Sequence, residues 1–309
     1  MTLTPRLVVL MTLPPLLWAG NAVVGRLAVG HVPPLLLNAL RWTLALFILL
    51  VLGRRAVATR TARGELAARW RELTLLGLLG VGTYNALQYL ALHTSTPINV
   101  TLIAASSPLW MLAVGALFYR VRPGPRELWG ALLSLAGVVV VLTHGNVVQV
   151  AAVRFVPGDL LMLLAAATWA LYSWMLARPP ARLAPPLRPA WDWAEFLLVQ
   201  AIFGLFWAGT FAGFEAALAP HETVEWSPGL LVALAYLAIG PSVIAYRCWG
   251  LGVAAAGPAV AAFFANLTPL FAALMSAALL GEVPRLHHAI AFALIVGGIA
   301  VSSGRRAMA

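Results

Sequence analysis

Trp18 and Asn21 stand three residues apart in one apolar run, and Trp169 and Tyr172 repeat that spacing in another. A separation of three puts two side chains on one face of a helix. Tyr84, Asn85, Gln88 and Tyr89 cover one side of a third run at spacings of three and four. Asn99, Ser106, Ser107 and Trp110 follow in a fourth, and Asn266 and Thr268 lie in a ninth. Polar groups facing hydrocarbon are costly, so groups at this depth turn toward a cavity or a neighbouring helix. Trp18, Asn21, Tyr84, Asn85, Gln88, Trp110, Trp169, Tyr172 and Asn266 together describe aromatic walls with neutral amide groups between them. Such a lining suits a neutral or zwitterionic solute carrying an apolar or aromatic side group. Read singly, each Ser or Thr is equally an interhelical hydrogen bonder, and a Trp near a run end an interfacial anchor.

The charged residues set a second question. Arg41 lies inside the second run, where it can bind an anion, neutralise backbone carbonyls or snorkel outward. Arg247, near the inner end of the eighth run, has the same alternatives, and His93 near the end of the third can titrate near neutral pH. Asp159, Glu215 and Glu282 fall near run ends, and no Asp or Glu sits mid-run. A proton-coupled exporter of cations ordinarily needs a buried carboxylate that takes proton and cargo in turn. Facilitated diffusion or exchange is the simpler expectation, with His93 the remaining coupling candidate. His287–His288 and His221–Glu222 are the close pairs of titrating groups, without a matching third residue, so an enzyme is not expected. Cys248 is the single cysteine, which excludes a disulfide framework and a cysteine-based metal site within one chain. No metal or cofactor is expected.

The elements that must position these residues follow from composition. The chain has 309 residues, 62% hydrophobic and 10% charged, against roughly a quarter charged in soluble domains. Apolar stretches of spanning length, about 20 residues, recur at 7–25, 35–53, 72–92, 98–119, 127–143, 159–177, 194–214, 228–246, 259–280 and 287–303. The net charge of +10 does not mark a nucleic-acid binder, because every basic residue is Arg and the arginines cluster in the connections. With the N-terminus in the cytoplasm, fifteen of the 20 arginines fall in inner segments and three, Arg26, Arg154 and Arg285, in outer ones. Positive-inside bias then places both termini in the cytoplasm of a multi-pass inner-membrane protein. The Arg-rich segment 54–71 reads as a topology anchor against anionic lipid headgroups of the bilayer.

The runs form two sets. A shift of 161 residues lays Pro97 on Pro258, Pro108 on Pro269 and Pro123 on Pro284 without a gap, and a shift of 151 lays Trp18 on Trp169. Residues 1–145 and 157–304 then form two halves of five spans each. An odd number of spans sends the second half into the membrane in the opposite sense, giving an inverted-topology repeat. The expectation is an all-α membrane protein of ten transmembrane helices, with a solute site at the interface between the halves.

The helix starts LLWAGNAVVGRLA and GDLLMLLAAATWALYSWMLAR, the stretch NLTPLFAALMSAALLGE and the closing GGIAVSS resemble the EamA domains of the drug/metabolite transporter superfamily. The resemblance covers nearly the whole chain as two copies. The first copy departs from it with Arg120 and Val121 where the second has Gly281 and Glu282. It implies ten spans and transport of small solutes, often export of amino acids or related metabolites; alternating access is what the inverted repeat leads one to expect. The small multidrug branch has a carboxylate in its first span, and this chain has none there. Aromatic and other neutral amino acids are the expected cargo, with other organic solutes or drugs carried by proton coupling as the alternative. Oligomeric state is left open.

Overall fold

A computed structural model describes residues 4–28, 31–91, 94–95, 97–146, 148, 154–220, 223–280 and 286–303. Helix forms along each apolar run the sequence marks, and the described residues contain no strand. The main helices are α1 (Pro5–Ala28), α2 (Pro34–Leu52), α3 (70–91), α4 (97–119), α5 (Pro125–Leu142), α6 (Pro157–Ala177), α7 (Trp193–Leu218), α8 (Pro228–Ala256), α9 (258–280) and α10 (Leu286–Ser303). Between α2 and α3, Arg55–Ala58 and Arg60–Ala68 form two short helices that carry much of the expected arginine anchor. Among the described residues, six helices are long and apolar enough to cross a membrane: α2, α5, α6, α7, α8 and α9. Exposed Phe47, Phe206, Phe214, Val232 and Phe292 give the bundle an apolar outer surface suited to lipid.

Pro starts many of these helices. Pro34, Pro125, Pro157, Pro228 and Pro258 occupy first-turn positions, where the missing N–H breaks no intrahelical bond. Asp192 caps α7 by accepting from the amides of Ala194 and Glu195, both at 2.8 Å, and Ser227 caps α8 at Leu230 N. At the far end of α7, the Glu215 carboxylate crosses to the start of α2, accepting from Leu35 N at 3.0 Å and Leu36 N at 2.9 Å. A carboxylate there meets the positive end of the helix dipole.

One boundary differs from the sequence expectation. The sequence places the end of the eighth run at 246 and the break across Arg247, Gly250, Gly252 and the Gly257–Pro258 pair; α8 runs on to Ala256 and stops at the last of these, at Gly257, whose φ is +85°. The small residues 250 and 252 sit in unbroken helix, and the left-handed glycine before Pro258 makes the stop. Arg247 lies 4.4 Å over the ring of Trp193, at the start of α7.

Each half carries the same two irregularities. In α3 the segment Leu78–Thr83 is π-helical, and in α8 so is Ala238–Ile244; moved by 161 residues, the first falls on 239–244, inside the second. Helix α4 bends by 45° at Ser106, between Asn99–Ala105 and Ser107–Tyr119. Moved by the same shift, Ser106 falls on Leu267, in the turn between Pro258–Ala265 and Thr268–Leu280 of α9. Pro108 and Pro269 follow these breaks, as a kinking role for them requires. The packed pairs match as well. Exchanging every helix for the one five places along turns α1–α8 into α6–α3, α1–α9 into α6–α4 and α2–α8 into α7–α3, and leaves α2–α7, α4–α9 and α5–α10 unchanged.

Helices α5 and α10 approach backbone to backbone at glycines. A Cβ at Gly298 would stand 2.7 Å from Gly130 O and 2.9 Å from Ser134 N, and one at Gly130 would stand 2.8 Å from Gly298 O. These are backbone atoms that no rotamer change can move aside. Gly298→Val is therefore expected to lower stability by about 1–3 kcal/mol through overpacking, whereas Gly209→Ala, with open space around its Cβ, should be neutral. Thermal midpoints of the purified proteins in detergent check this; equal midpoints for the two variants would contradict the packing.

Candidate functional site

Seven aromatic rings from five helices meet between the halves. Trp169 on α6 lies at the centre, with ring centroids 5.5 Å from Trp18, 5.2 Å from Tyr84, 5.1 Å from Tyr172, 5.6 Å from Tyr246 and 5.3 Å from Trp249. Trp18 of α1 also meets Trp249 at 5.4 Å and Tyr246 at 6.5 Å, and Trp42 of α2 stands edge-on to Tyr246 at 4.9 Å. Aromatic pairs at 4.5–7 Å in tilted or edge-to-face arrangements gain about 0.5–1.5 kcal/mol beyond their burial. Trp169, Tyr172, Tyr246, Trp249 and Trp42 are buried, while Trp18 and Tyr84 are half-buried.

The π-helical segments explain which of these rings carry polar bonds. A π turn disturbs the regular carbonyl-to-amide ladder, and in an apolar setting each freed carbonyl needs another donor. In α3, Thr83 Oγ1 donates to Leu78 O at 2.9 Å and Leu79 O at 3.2 Å. The Tyr246 hydroxyl donates to Gly80 O, and Asn38 Nδ2 to Val81 O at 3.1 Å. In α8, Pro241 has no amide hydrogen to give to Leu237 O, and Ser242 Oγ takes that place at 2.8 Å. Trp18 Nε1 donates to Pro241 O at 3.3 Å. Thus Trp18 of the first half and Tyr246 of the second each close a broken turn in the opposite half.

Two polar knots flank the rings. In one, Arg41 donates from Nε to Ser242 Oγ at 3.1 Å and from Nη1 to Asn21 Oδ1 at 3.2 Å, with its guanidinium 5.7 Å over Trp42. In the other, the Tyr172 hydroxyl donates to Gln200 Oε1 at 3.0 Å. Asn21 and Tyr172 are the pair that the 151-residue shift superimposes. Gln200 is seven residues past Trp193 at the start of α7, as Arg41 is seven past Pro34 at the start of α2. Arg41 is 1% exposed, so it does not snorkel to the surface.

Of the residues singled out from sequence, Trp18, Tyr84, Trp169 and Tyr172 come together in the ring cluster, and Asn21 joins it through Arg41. Asn85 is only 6% exposed, yet its amide makes no hydrogen bond to a described residue. Gln88 is half-buried one turn further along α3, also without a described partner. Trp110 is half-buried and packs on the main core without meeting the ring cluster. Asn266 stands apart: its Nδ2 donates to Ser134 Oγ of α5 at 2.9 Å, tying α9 to α5. His93, His221, Glu222 and Glu282 lie outside the described residues. The remaining cluster members, Trp42, Tyr246, Trp249 and Ser242, were not singled out from sequence. A signal for two of them existed, since the 161-residue shift carries Asn85 onto Tyr246 and Gln88 onto Trp249.

The buried carboxylates are bound by structure. Asp159, 1% exposed, accepts from Ser95 Oγ, from Asn99 Nδ2 at 2.8 Å and from Val156 N at 2.8 Å, which closes the start of α6 against that of α4. Glu195 accepts from Asp192 N at 2.8 Å in the cap of α7. No cluster of His, Cys, Asp or Glu able to hold a metal ion occurs among the described residues.

Long apolar helices and an apolar outer surface mark a membrane protein, with a polar and aromatic cluster buried between two sets of helices. The comparison with known proteins gives the class its name. The model of the EamA-like transporter family matches the chain twice, over residues 6–143 and 156–304. The chain belongs to the EamA-like transporter family. It is 30% identical over 291 residues to the aromatic amino acid exporter YddG of Ancylobacter novellus, covering 93% of both chains. It is 26% identical over 299 residues to an uncharacterised transporter of Archaeoglobus fulgidus, covering 96% of this chain and 97% of that one. A protein of known crystal structure shares the fold with a TM-score of 0.71 at 27% identity, covering 96% of this chain and 97% of that chain. The inner membrane transporter YedA of Escherichia coli matches at 26% identity over 288 residues.

Asp159→Ala removes the acceptor for Ser95, Asn99 and Val156 N. The expected cost is about 1–3 kcal/mol of stability, read as a lower thermal midpoint in detergent, with solute flux per folded molecule kept within about twofold. A tenfold loss of flux at an unchanged midpoint would assign Asp159 to transport instead.

Proposed function

We propose that this transporter exports small neutral or zwitterionic metabolites, foremost aromatic amino acids, across the inner membrane by alternating access. In this reading the chain makes ten spans in two inverted five-helix halves, 1–145 and 157–304, with both termini in the cytoplasm. The observation that carries the reading is the ring cluster around Trp169, built by α1, α2 and α3 of one half and α6 and α8 of the other. A site made jointly by two halves changes whenever the halves change their mutual angle, which is the requirement of alternating access. The shared register of the π segments and helix breaks supports the two-half division, and the arginine distribution supports the orientation. The rings supply flat apolar surface for an aromatic side group, and the unpartnered amide of Asn85 with that of Gln88 supplies polar contacts. The similarity to an aromatic amino acid exporter points to the same cargo.

Transport without proton coupling is part of the proposal. The described buried carboxylates, Asp159 and Glu195, serve helix starts and give no mid-helix proton carrier.

Counterflow of labelled tryptophan in proteoliposomes checks the site. Trp169→Ala and Asn85→Ala should each lower the initial rate at least fivefold while the proteins purify and elute as folded wild type does. Wild-type rates in both folded variants would remove the ring cluster from the transport path. An imposed pH gradient should leave the wild-type rate within about twofold, and a large acceleration would overturn the uncoupled mechanism.

A further inference from the structure

We propose that Arg41 is the carboxylate anchor of the solute site, so that the transporter selects aromatic solutes carrying a carboxylate over otherwise identical ones lacking it. This rests on the export reading above and gives it a specificity residue. Arg41 lies seven residues into α2, about 10 Å from the helix start at 1.5 Å per residue. A guanidinium does not lose its proton in proteins, and an unpaired buried cation is costly. The ion pairs among the described residues are His31–Glu225 and Arg69–Glu65, both away from Arg41.

The groups touching Arg41 carry no charge to offset it. Asn21 and Ser242 accept one hydrogen bond each from its five N–H groups, and Trp42 offers a ring face. Tyr246, within electrostatic reach, has its hydroxyl committed to Gly80 O. The other Nη hydrogens meet no acceptor among the described residues. A guanidinium held through Nε and one Nη1 hydrogen is fixed in orientation and keeps donors for a planar carboxylate.

Packing alone does not demand a cation here. The related place in the second half holds Gln200, a neutral side chain bonded to Tyr172. A purely structural bond to Asn21 could be made in the same way by an amide. Asn38, one turn before Arg41, has a buried Oδ1 without a donor among the described residues, although its Nδ2 is bonded to Val81 O. That orphan acceptor suits an ammonium group beside the carboxylate. The ring cluster begins at the same contacts, since Asn21 is one turn from Trp18 and Ser242 adjoins Pro241, whose carbonyl holds the Trp18 indole. Carboxylate, ammonium and aromatic ring are the three parts of an aromatic amino acid.

The test compares L-tryptophan, L-tryptophanamide and 3-indolepropionate as competitors of tryptophan counterflow, and as ligands raising the thermal midpoint of the purified protein. Tryptophanamide should act at least tenfold more weakly than tryptophan on the wild type, and 3-indolepropionate should stay closer to tryptophan. Arg41→Gln should bring tryptophan and its amide within about twofold of each other while retaining the amide's own affinity. Should that variant not fold, the wild-type ratio still decides: a ratio near one overturns the proposal. A folded Arg41→Gln with the wild-type ratio overturns it too. Flux with equal competition sinks the carboxylate anchor and keeps export. Selective binding without flux keeps the anchor and sinks export, and no binding of any of the three sinks both.

Discussion

A backbone carbonyl or amide inside an apolar bundle has no water to fall back on, and the site of this transporter is arranged around that constraint. Regular helix satisfies each group locally. The π segments of α3 and α8 do not, and the donors that repair them come largely from other helices: Asn38 and Tyr246 for α3, Trp18 for α8. Trp18 and Tyr246 also belong to the ring cluster, so the bonds that close the broken turns join the helices that carry the rings.

The two halves share register but not chemistry. Both have a π segment in their third helix and a break in their fourth, and the helix pairings exchange as a two-fold relation would require. The differences are concentrated in polar residues. Arg41 faces Asn21 in the first half where Gln200 faces Tyr172 in the second. Asp159 ties α6 to α4, while the first turn of α1 contains no acidic residue. The backbone relation is close, and the polar side chains at the seam differ between the halves.

Much of this was legible in sequence for physical reasons. Apolar runs of spanning length announce helices directly, and prolines spaced alike in both halves kept the repeat register visible after most other identities were lost. The paired Trp18–Asn21 and Trp169–Tyr172 spacings named residues that the fold brings together in and beside the ring cluster. What the sequence concealed were features with no local signature. A π turn over LLGVGT and another over AIGPSVI share no motif, and Tyr246 and Trp249 fall at and beyond the end of the eighth apolar run, 228–246. Asn266 was indistinguishable in sequence from a ligand residue until its bond to Ser134 was seen. Arg41 had three readings, of which burial removes snorkelling.

The central claim is that the solute lies against the rings at the seam and meets Asn85 of α3, whose amide has no partner among the described residues. Cys248 is the sole native thiol, so a Cys248→Ala background allows one probe at a time. Alkylation of Asn85→Cys should slow at least fivefold in saturating tryptophan, while alkylation of Phe214→Cys on the exposed outer surface should keep its rate. Equal rates at position 85 with and without tryptophan, in protein that still transports it, would contradict the account.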